Sequence, residues 1–207
     1  MAAEAFNACE YLLDRHLAAG SGDRLALTGV AGDLTYAELH DRVLRAAGML
    51  RGLGLQPEQR VLMFMADSPE FVVMFLAAMR IGAVPVPVST MTPAHDLGEL
   101  LRDSRARLLA VTGEFVDVVA AATNDAPDLR SVLALADVGP MESGVEWHPL
   151  DHLIGAATPD EQTYPTTADS PAFWLYTSGT TGTPKAAMHR HGSIRVVCET
   201  YGSQVLG

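Results

Sequence analysis

Lysine is nearly missing from this 207-residue sequence: it occurs once, at position 185, and every other one of the 14 Lys and Arg cations is an arginine. Positive charge is scarce altogether. With 25 Asp and Glu the formal net charge is -11 and the pI near 4.9. That is the wrong sign for a surface that follows a phosphate backbone, so nucleic acid is not expected as a partner. Cysteine is limited to Cys9 and Cys198, far apart and without CxxC spacing. This excludes a disulfide framework, predicts free or buried thiols in a reducing compartment, and puts the expected location in the cytoplasm. Long apolar runs are absent too. The longest, Phe71 to Met79, is closed by Glu70 and Arg80 and falls far short of the roughly 20 residues that cross a bilayer, so it reads as a buried helix. The opening MAAEAFNACE carries an acid where a secretory signal carries positive charge, so export by that route is not expected. No internal repeat is visible.

What is present is the material of a globular domain, 48% hydrophobic by composition. Asn7 is placed to cap a first helix that ends at Gly20, and RLALT and DLTY read as a hairpin. Thr35 and Glu38 form a T-x-x-E capping box ahead of Leu39, Val43, Ala47 and Leu50, which repeat at helical spacing up to Gly52. Strand RVLMFMA, a helix from Ser68 with Pro69 at its first position, strand AVPVPV, a helix from Thr92 with Pro93 likewise, strand RLLAV and a helix after Gly113 follow. The fold class predicted by this alternation is α/β, a largely parallel sheet flanked by helices on both faces. After strand SVLALA, the stretch from Asp137 to Pro171 reads as a long surface connection with one helical turn near Leu150 to Gly155. AFWLYT reads as a buried strand, AAMHRH as extended, and a last helix as starting near Ser193. Met63, Met65, Met74 and Met79 are expected in the core. The domain expectation is an N-terminal α/β subdomain over 1–170 and the start of a further subdomain over 171–207. Apolar Val196, Val197, Val205 and Leu206 then have nothing to pack against, and the chain reads as unfinished.

The single lysine closes the stretch YTSGTTGTPK, Tyr176 to Lys185. A strand entering Thr177, Ser178, Gly179, Thr180, Thr181, Gly182 and Thr183 offers hydroxyl donors, amides freed by glycine and one mobile ammonium. Such donors suit a polyphosphate, and the ammonium on its flexible stem can follow a phosphate as it leaves. The plainer alternative is a solvated Gly/Thr turn. A Walker A loop is excluded, because counting from Gly179 puts Pro184 where the second glycine belongs and Ala186 where the magnesium-binding hydroxyl belongs. GLGLQP lacks the third glycine of a dinucleotide fingerprint, and no G-x-S-x-G elbow occurs.

YTSGTTGTPK resembles the phosphate-binding signature of the AMP-forming adenylating enzymes, a family that includes acyl- and aryl-CoA synthetases, firefly luciferases and the adenylation domains of peptide synthetases. LTYAEL at 34–39 and SPEFVVMFLAAMRIGAVPVPV at 68–88 are similar to the family's early helix and its strand-helix-strand core, in the expected order. Within the family, AFWLYTSGTTGTPKAAMHRH is most similar to benzoate and related aryl-CoA ligases. The resemblance implies a two-step reaction with ATP, Mg2+ and CoA: a small-molecule carboxylic acid, aromatic or fatty, is activated as an acyl-adenylate and then passed to the CoA thiol. It implies that Thr177, Ser178, Gly179, Thr180, Thr181, Gly182 and Thr183 hold the β- and γ-phosphates, with Lys185 as the catalytic cation meeting the departing pyrophosphate. Ala186 departs from the glycine that many members have after the lysine.

The resemblance also implies that this is the N-terminal portion of a longer enzyme, since the family's adenine, ribose and magnesium ligands and the lysine of its small C-terminal domain have no counterparts here. By itself the chain is therefore expected to be inactive. The identity of the acid stays open, and so does the acceptor, CoA or a carrier protein's phosphopantetheine. A non-catalytic truncated module is the reading from another class. A homodimer is compatible with the uncovered apolar residues. No metal is assigned: His189 and His191, at i and i+2 on one strand face, lack a third ligand. Asp14 with His16, Asp96 with His95, and Asp151 with His152 read as ordinary surface pairings.

Overall fold

The computed structural model of the chain describes residues 4–29, 32–138, 144–177 and 185–206. Asn7 Oδ1 accepts from the Cys9 amide at 2.9 Å, and a π-helical turn over Glu10–Asp14 leads into α1 (Arg15–Ala18). The hairpin is present as β1 (Leu25–Leu27) and β2 (Leu34–Thr35). The capping box forms in full: Thr35 Oγ1 accepts from the Glu38 amide at 3.2 Å and Glu38 Oε2 from the Thr35 amide at 2.8 Å, opening α2 (Tyr36–Gly52). Then come β3 (Arg60–Phe64), α3 (Pro69–Arg80), β4 (Val84–Pro87), α4 (Ala94–Ser104), β5 (Leu108–Thr112), α5 (Val116–Ala122), β6 (Ser131–Leu135), β7 (Glu146–Pro149) and α6 (Leu150–Ala156). β8 (Pro171–Thr177), β9 (Lys185–Arg190), α7 (His191–Val197) and a π-helical stretch over Cys198–Leu206 complete the described chain.

Strands β3 to β7 form one parallel sheet in the order β4-β3-β5-β6-β7. Apart from the edge strand β7 its strands are largely apolar on both faces, as a sheet covered on both sides requires. Val61, Met63, Leu108, Ala110 and Leu133 point to the core beneath α2, α3 and α6, while Leu62, Phe64, Leu109, Val111 and Val132 point to the core beneath α4 and α5. The four methionines are buried as expected, none more than 4% exposed. Val196, Val197 and Val205 are exposed, and the side chain of Leu206 lies outside the described residues.

Three readings of the sequence need correction here. Helix α4 begins at Ala94 with Pro93 as its N-cap, because Pro93 is extended at ψ 157° and the Thr92 amide is taken by Ser89 in a preceding turn at 3.0 Å. The 137–171 connection contains a strand: β7 pairs with β6 from Ser131↔Glu146 to Ala134↔Pro149. Its EWHP sequence has no β-branched residue, and Pro149 is tolerated because β7 is the sheet's edge. Beyond α6 the same connection is pinned to the helices, the Asp160 amide donating to Leu44 O at 3.0 Å and the Tyr164 amide to Arg80 O at 2.9 Å. Finally, AFWLYT is not a buried strand. Of β8 only Ala172 is fully buried, since β8 pairs with β9 alone in an antiparallel ribbon.

The close return of the 157–170 segment sets a stability test. Gly82 has φ 77°, and a Cβ there would lie 2.5 Å from the Tyr164 ring, whereas Gly20 has φ 72° with open space around it. Gly20→Ala should cost only the backbone strain of about 1 kcal/mol, and Gly82→Ala that plus displacement of the ring, about 2 to 4 kcal/mol in all. Urea unfolding midpoints of the two variants check the difference; equal losses would mean the Tyr164 contact is not tight.

Candidate functional site

The candidate loop is carried by the β8–β9 ribbon. Thr177 and Lys185 face each other as the last cross-strand pair, and the Thr177 hydroxyl lies 3.5 Å from the Lys185 carbonyl. Of the residues assigned to phosphate binding, this pair is described; Ser178, Gly179, Thr180, Thr181, Gly182 and Thr183 lie outside the described residues. Lys185 is exposed, and its ammonium makes no ion pair among the described residues. The two ends of the loop are thus held at ladder distance, with the free cation at the exit.

The ribbon is fixed by contacts that no local sequence pattern announces. On one side the Tyr176 hydroxyl donates to Asp103 Oδ2 at the end of α4, at 2.5 Å, one residue before the loop's first hydroxyl. Burial first, and the bond to Asp103 second, push the phenol's pKa up, so it remains a donor. Beside it the Arg60 guanidinium lies over the Trp174 ring, 5.5 Å from its centroid. On the other side Phe173 stacks on His189 at 4.4 Å and tilts against Phe75 of α3 at 5.4 Å. Sequence reading missed Asp103 and Arg60, because both sit in charged stretches indistinguishable from a solvated helix end and a strand edge.

The two histidines part ways. His189 is on β9, but His191 is the first residue of α7, two residues earlier than the helix start read from the sequence, so they do not share a strand face. His191 is fully buried; its Nδ1 accepts from the Ala8 amide at 2.9 Å, tying the N-terminal segment to the ribbon's exit. Asp14 does not pair with His16. It receives Arg80, while His16 stacks on Tyr36 at 4.1 Å. His95 and Asp96 do pair, at 3.2 Å on the surface. Among the described residues no three His, Cys, Asp or Glu side chains converge to hold a metal ion, and both cysteines are free.

A parallel sheet covered by helices on both faces, followed by a separate antiparallel ribbon, defines the chain as an α/β protein. The family model described as AMP-binding enzyme matches residues 14–205, and the chain belongs to that family. It is 36% identical over 200 residues to the 4-hydroxybenzoate--CoA/benzoate--CoA ligase of Rhodopseudomonas palustris, covering 97% of this chain and 36% of that protein. A benzoate CoA ligase from Burkholderia xenovorans LB400 superposes with a TM-score of 0.83 at 31% identity, over 98% of this chain and 38% of the other. An anthranilate CoA ligase in complex with anthranoyl-AMP gives a TM-score of 0.89 at 25% identity, over 97% and 38% respectively. The chain spans little more than a third of the length of these relatives.

The His191 contact predicts an acid-sensitive ribbon. Burial pulls its imidazole down to about 4 from an ordinary 6.5. Below 6.5 the unfolded chain takes up a proton that the folded chain refuses, so stability is intact above that pH and falls as the pH drops toward 4, by at most about 1.4 kcal/mol per unit. His191→Asn keeps an acceptor for Ala8 and should remove about one proton from the pH dependence of unfolding between these limits. An unchanged slope in urea titrations would show that His191 titrates normally.

Proposed function

We propose that this chain supplies the N-terminal part of an ATP-dependent, AMP-forming carboxylate-CoA ligase, with an aromatic carboxylic acid as the substrate class. One observation carries the reading: the chain's only lysine stands at the exit of a ladder-closed hydroxyl and glycine loop, in a chain similar to aryl-CoA ligases. In the proposed reaction a carboxylate oxygen attacks the α-phosphorus of ATP, and the bond to the β-phosphate oxygen breaks, giving an acyl-adenylate and pyrophosphate. The CoA thiol then forms the thioester while AMP leaves with the electron pair of the acyl-oxygen bond and the thiol proton passes to solvent. The complex of the anthranilate relative with anthranoyl-AMP supports the aryl-adenylate form of the intermediate.

The roles within this chain follow from chemistry. Thr177, Ser178, Thr180, Thr181 and Thr183 donate to the β- and γ-phosphates with the amides of Gly179 and Gly182, and Lys185 offsets the charge that grows on the leaving pyrophosphate. Tyr176 and Asp103 hold the strand that enters the loop. Among the described residues no group of three His, Cys, Asp or Glu side chains is placed to hold Mg2+. We also propose that residues 171–207 begin a structural unit distinct from 1–170, supported by the ribbon's separate sheet. Turnover by the 207-residue chain alone is not expected, because the loop grips only the triphosphate tail and misplacement of the α-phosphorus by about 1 Å already costs about a hundredfold.

In an active ligase containing this chain, Lys185→Ala should slow adenylate formation on the order of a hundredfold or more, a loss of roughly 2 to 4 kcal/mol of barrier stabilisation. Thioester formation from preformed adenylate should change far less. Separate assays of the two half-reactions check this, and equal slowing of both would remove Lys185 from its role.

A further inference from the structure

Ligands of open parallel sheets gather at the carboxyl ends of the strands, whereas in this chain the amino end of β3 meets the ribbon through Arg60. The amino ends carry an unusual row. Arg60 opens β3, Arg107 immediately precedes β5 and Arg130 immediately precedes β6. The backbone aligns them: the Arg107 amide donates to Arg60 O at 3.0 Å and the Arg130 amide to Arg107 O at 2.9 Å, continuing the registers Val61↔Leu108 and Leu108↔Ser131. Three guanidinium-bearing residues are therefore neighbours across three adjacent strands. A fourth, Arg105, sits at the C-cap of α4 in the left-handed region at φ 51°. Like charges opposite one another across strands destabilise a sheet, and this chain has only 14 cations to place.

Part of the row has a structural use. Arg60 donates to Ser104 O at 2.5 Å and Arg105 O at 3.4 Å, satisfying carbonyls at the end of α4, and to Glu58 O at 3.0 Å in the turn before β3. Asp128 takes Arg105 at 3.2 Å and Arg107 at 3.6 Å, and these arginines hold its carboxyl below the usual range. Arg107 also donates to Asp128 O at 3.3 Å. Arg130 is different: its side chain has no hydrogen-bond or ion-pair partner among the described residues. The carboxylate of Glu146, on the neighbouring strand, pairs with His148 at 3.5 Å. Arg107 and Arg130 line a groove of about 260 Å³ together with Gln56 and Gln59. The Gln59 side-chain oxygen accepts from the Gln56 amide at 3.1 Å, which leaves its NH2 group to donate.

We propose that this groove binds an oxyanion of the phosphate class, either free or as part of a small molecule, between Arg107 and Arg130 with Gln59 as a further donor. Two forked guanidiniums and an amide supply donors matched to tetrahedral oxygens, and the bound anion relieves the repulsion along the row. This site uses none of the residues of the Thr177–Lys185 loop. Titration calorimetry of the 207-residue chain with inorganic phosphate, and separately with AMP, tests it. With the loop's cation removed by Lys185→Ala, saturable phosphate binding is expected to remain and to weaken about tenfold when Arg130→Ala or Arg107→Ala is added. Tighter binding of AMP than of phosphate, lost in the same two variants, would assign the anion to a phosphate ester; equal binding would assign it to free phosphate. Since Arg130 has no side-chain partner to lose among the described residues, Arg130→Ala should fold, and without phosphate it should be at least as stable as the parent. No saturable binding up to about 10 mM phosphate, or binding that Lys185→Ala abolishes and Arg130→Ala spares, would overturn the proposal.

Discussion

A single buried guanidinium organises the lower end of the helical layer. Arg80, 3% exposed at the last position of α3, donates to both oxygens of Asp14 at 3.0 and 2.9 Å and to Glu161 O at 3.0 Å. Its own carbonyl receives the Tyr164 amide, and the neighbouring Met79 carbonyl receives Asn7 Nδ2 at 2.9 Å. The N-terminal helix, α3 and the 157–170 connection, all distant in sequence, therefore converge on one residue pair. Such an ion pair adds little net stability over an apolar substitute, but removing Asp14 would leave the buried Arg80 charge stranded, whereas Asp14 itself is partly exposed. Its value lies in specificity: the two Nη groups find Asp14 and Glu161 O together only when these three segments meet, although Nε is buried without a hydrogen-bond partner among the described residues.

The ribbon depends on that arrangement. Thr166 and Phe6 exchange hydrogen bonds between the connection and the N-terminus, at 2.7 and 2.8 Å, and Ala8 reaches His191 at the ribbon's exit. The Gly192 amide closes on Ala168 O at 2.9 Å, an approach so tight that a Cβ on Gly192 would meet that oxygen at 3.0 Å. From Arg80 outward, each tie fixes the next, and the last of them aims the strands that hold the candidate loop. The loop needs such external support because a two-stranded ribbon alone is marginal in water.

Where function and fold could be read in the sequence, the signals were local. The Thr35 box, Pro69 at a helix start and the short continuous apolar strands all act within a few residues, and the hydroxyl-glycine-lysine run that carries the family resemblance is equally local. Strand β7 was hidden because EWHP has neither alternation nor β-branched residues, and pairing with β6 alone makes it a strand. AFWLYT misled in the other direction: its composition states that it can be buried, while its partners decide whether it is. Asp103, Arg60 and Arg80 were illegible for a different reason. Each acts on a residue 66 to 114 positions away in sequence, as Arg80 to Asp14, Asp103 to Tyr176 and Arg60 to Trp174 show, and no periodicity encodes such a distance.

The acidic charge of the chain and its proposed polyphosphate substrate are compatible because the two act over different ranges. At physiological ionic strength exposed charges are screened beyond about 8 Å, so a net charge of -11 spread over the surface weakly opposes an approaching anion. Binding is decided within hydrogen-bond distance, by donors already oriented toward the anion. Restricting the chain's lysine to position 185 fits that division: arginines bind carboxylates and carbonyls throughout the scaffold, as Arg51, Arg60 and Arg80 do. The one compact, mobile ammonium is left uncommitted among the described residues. A cation paired in the scaffold would first have to break that pair to follow a departing group, whereas Lys185 has none among the described residues to break.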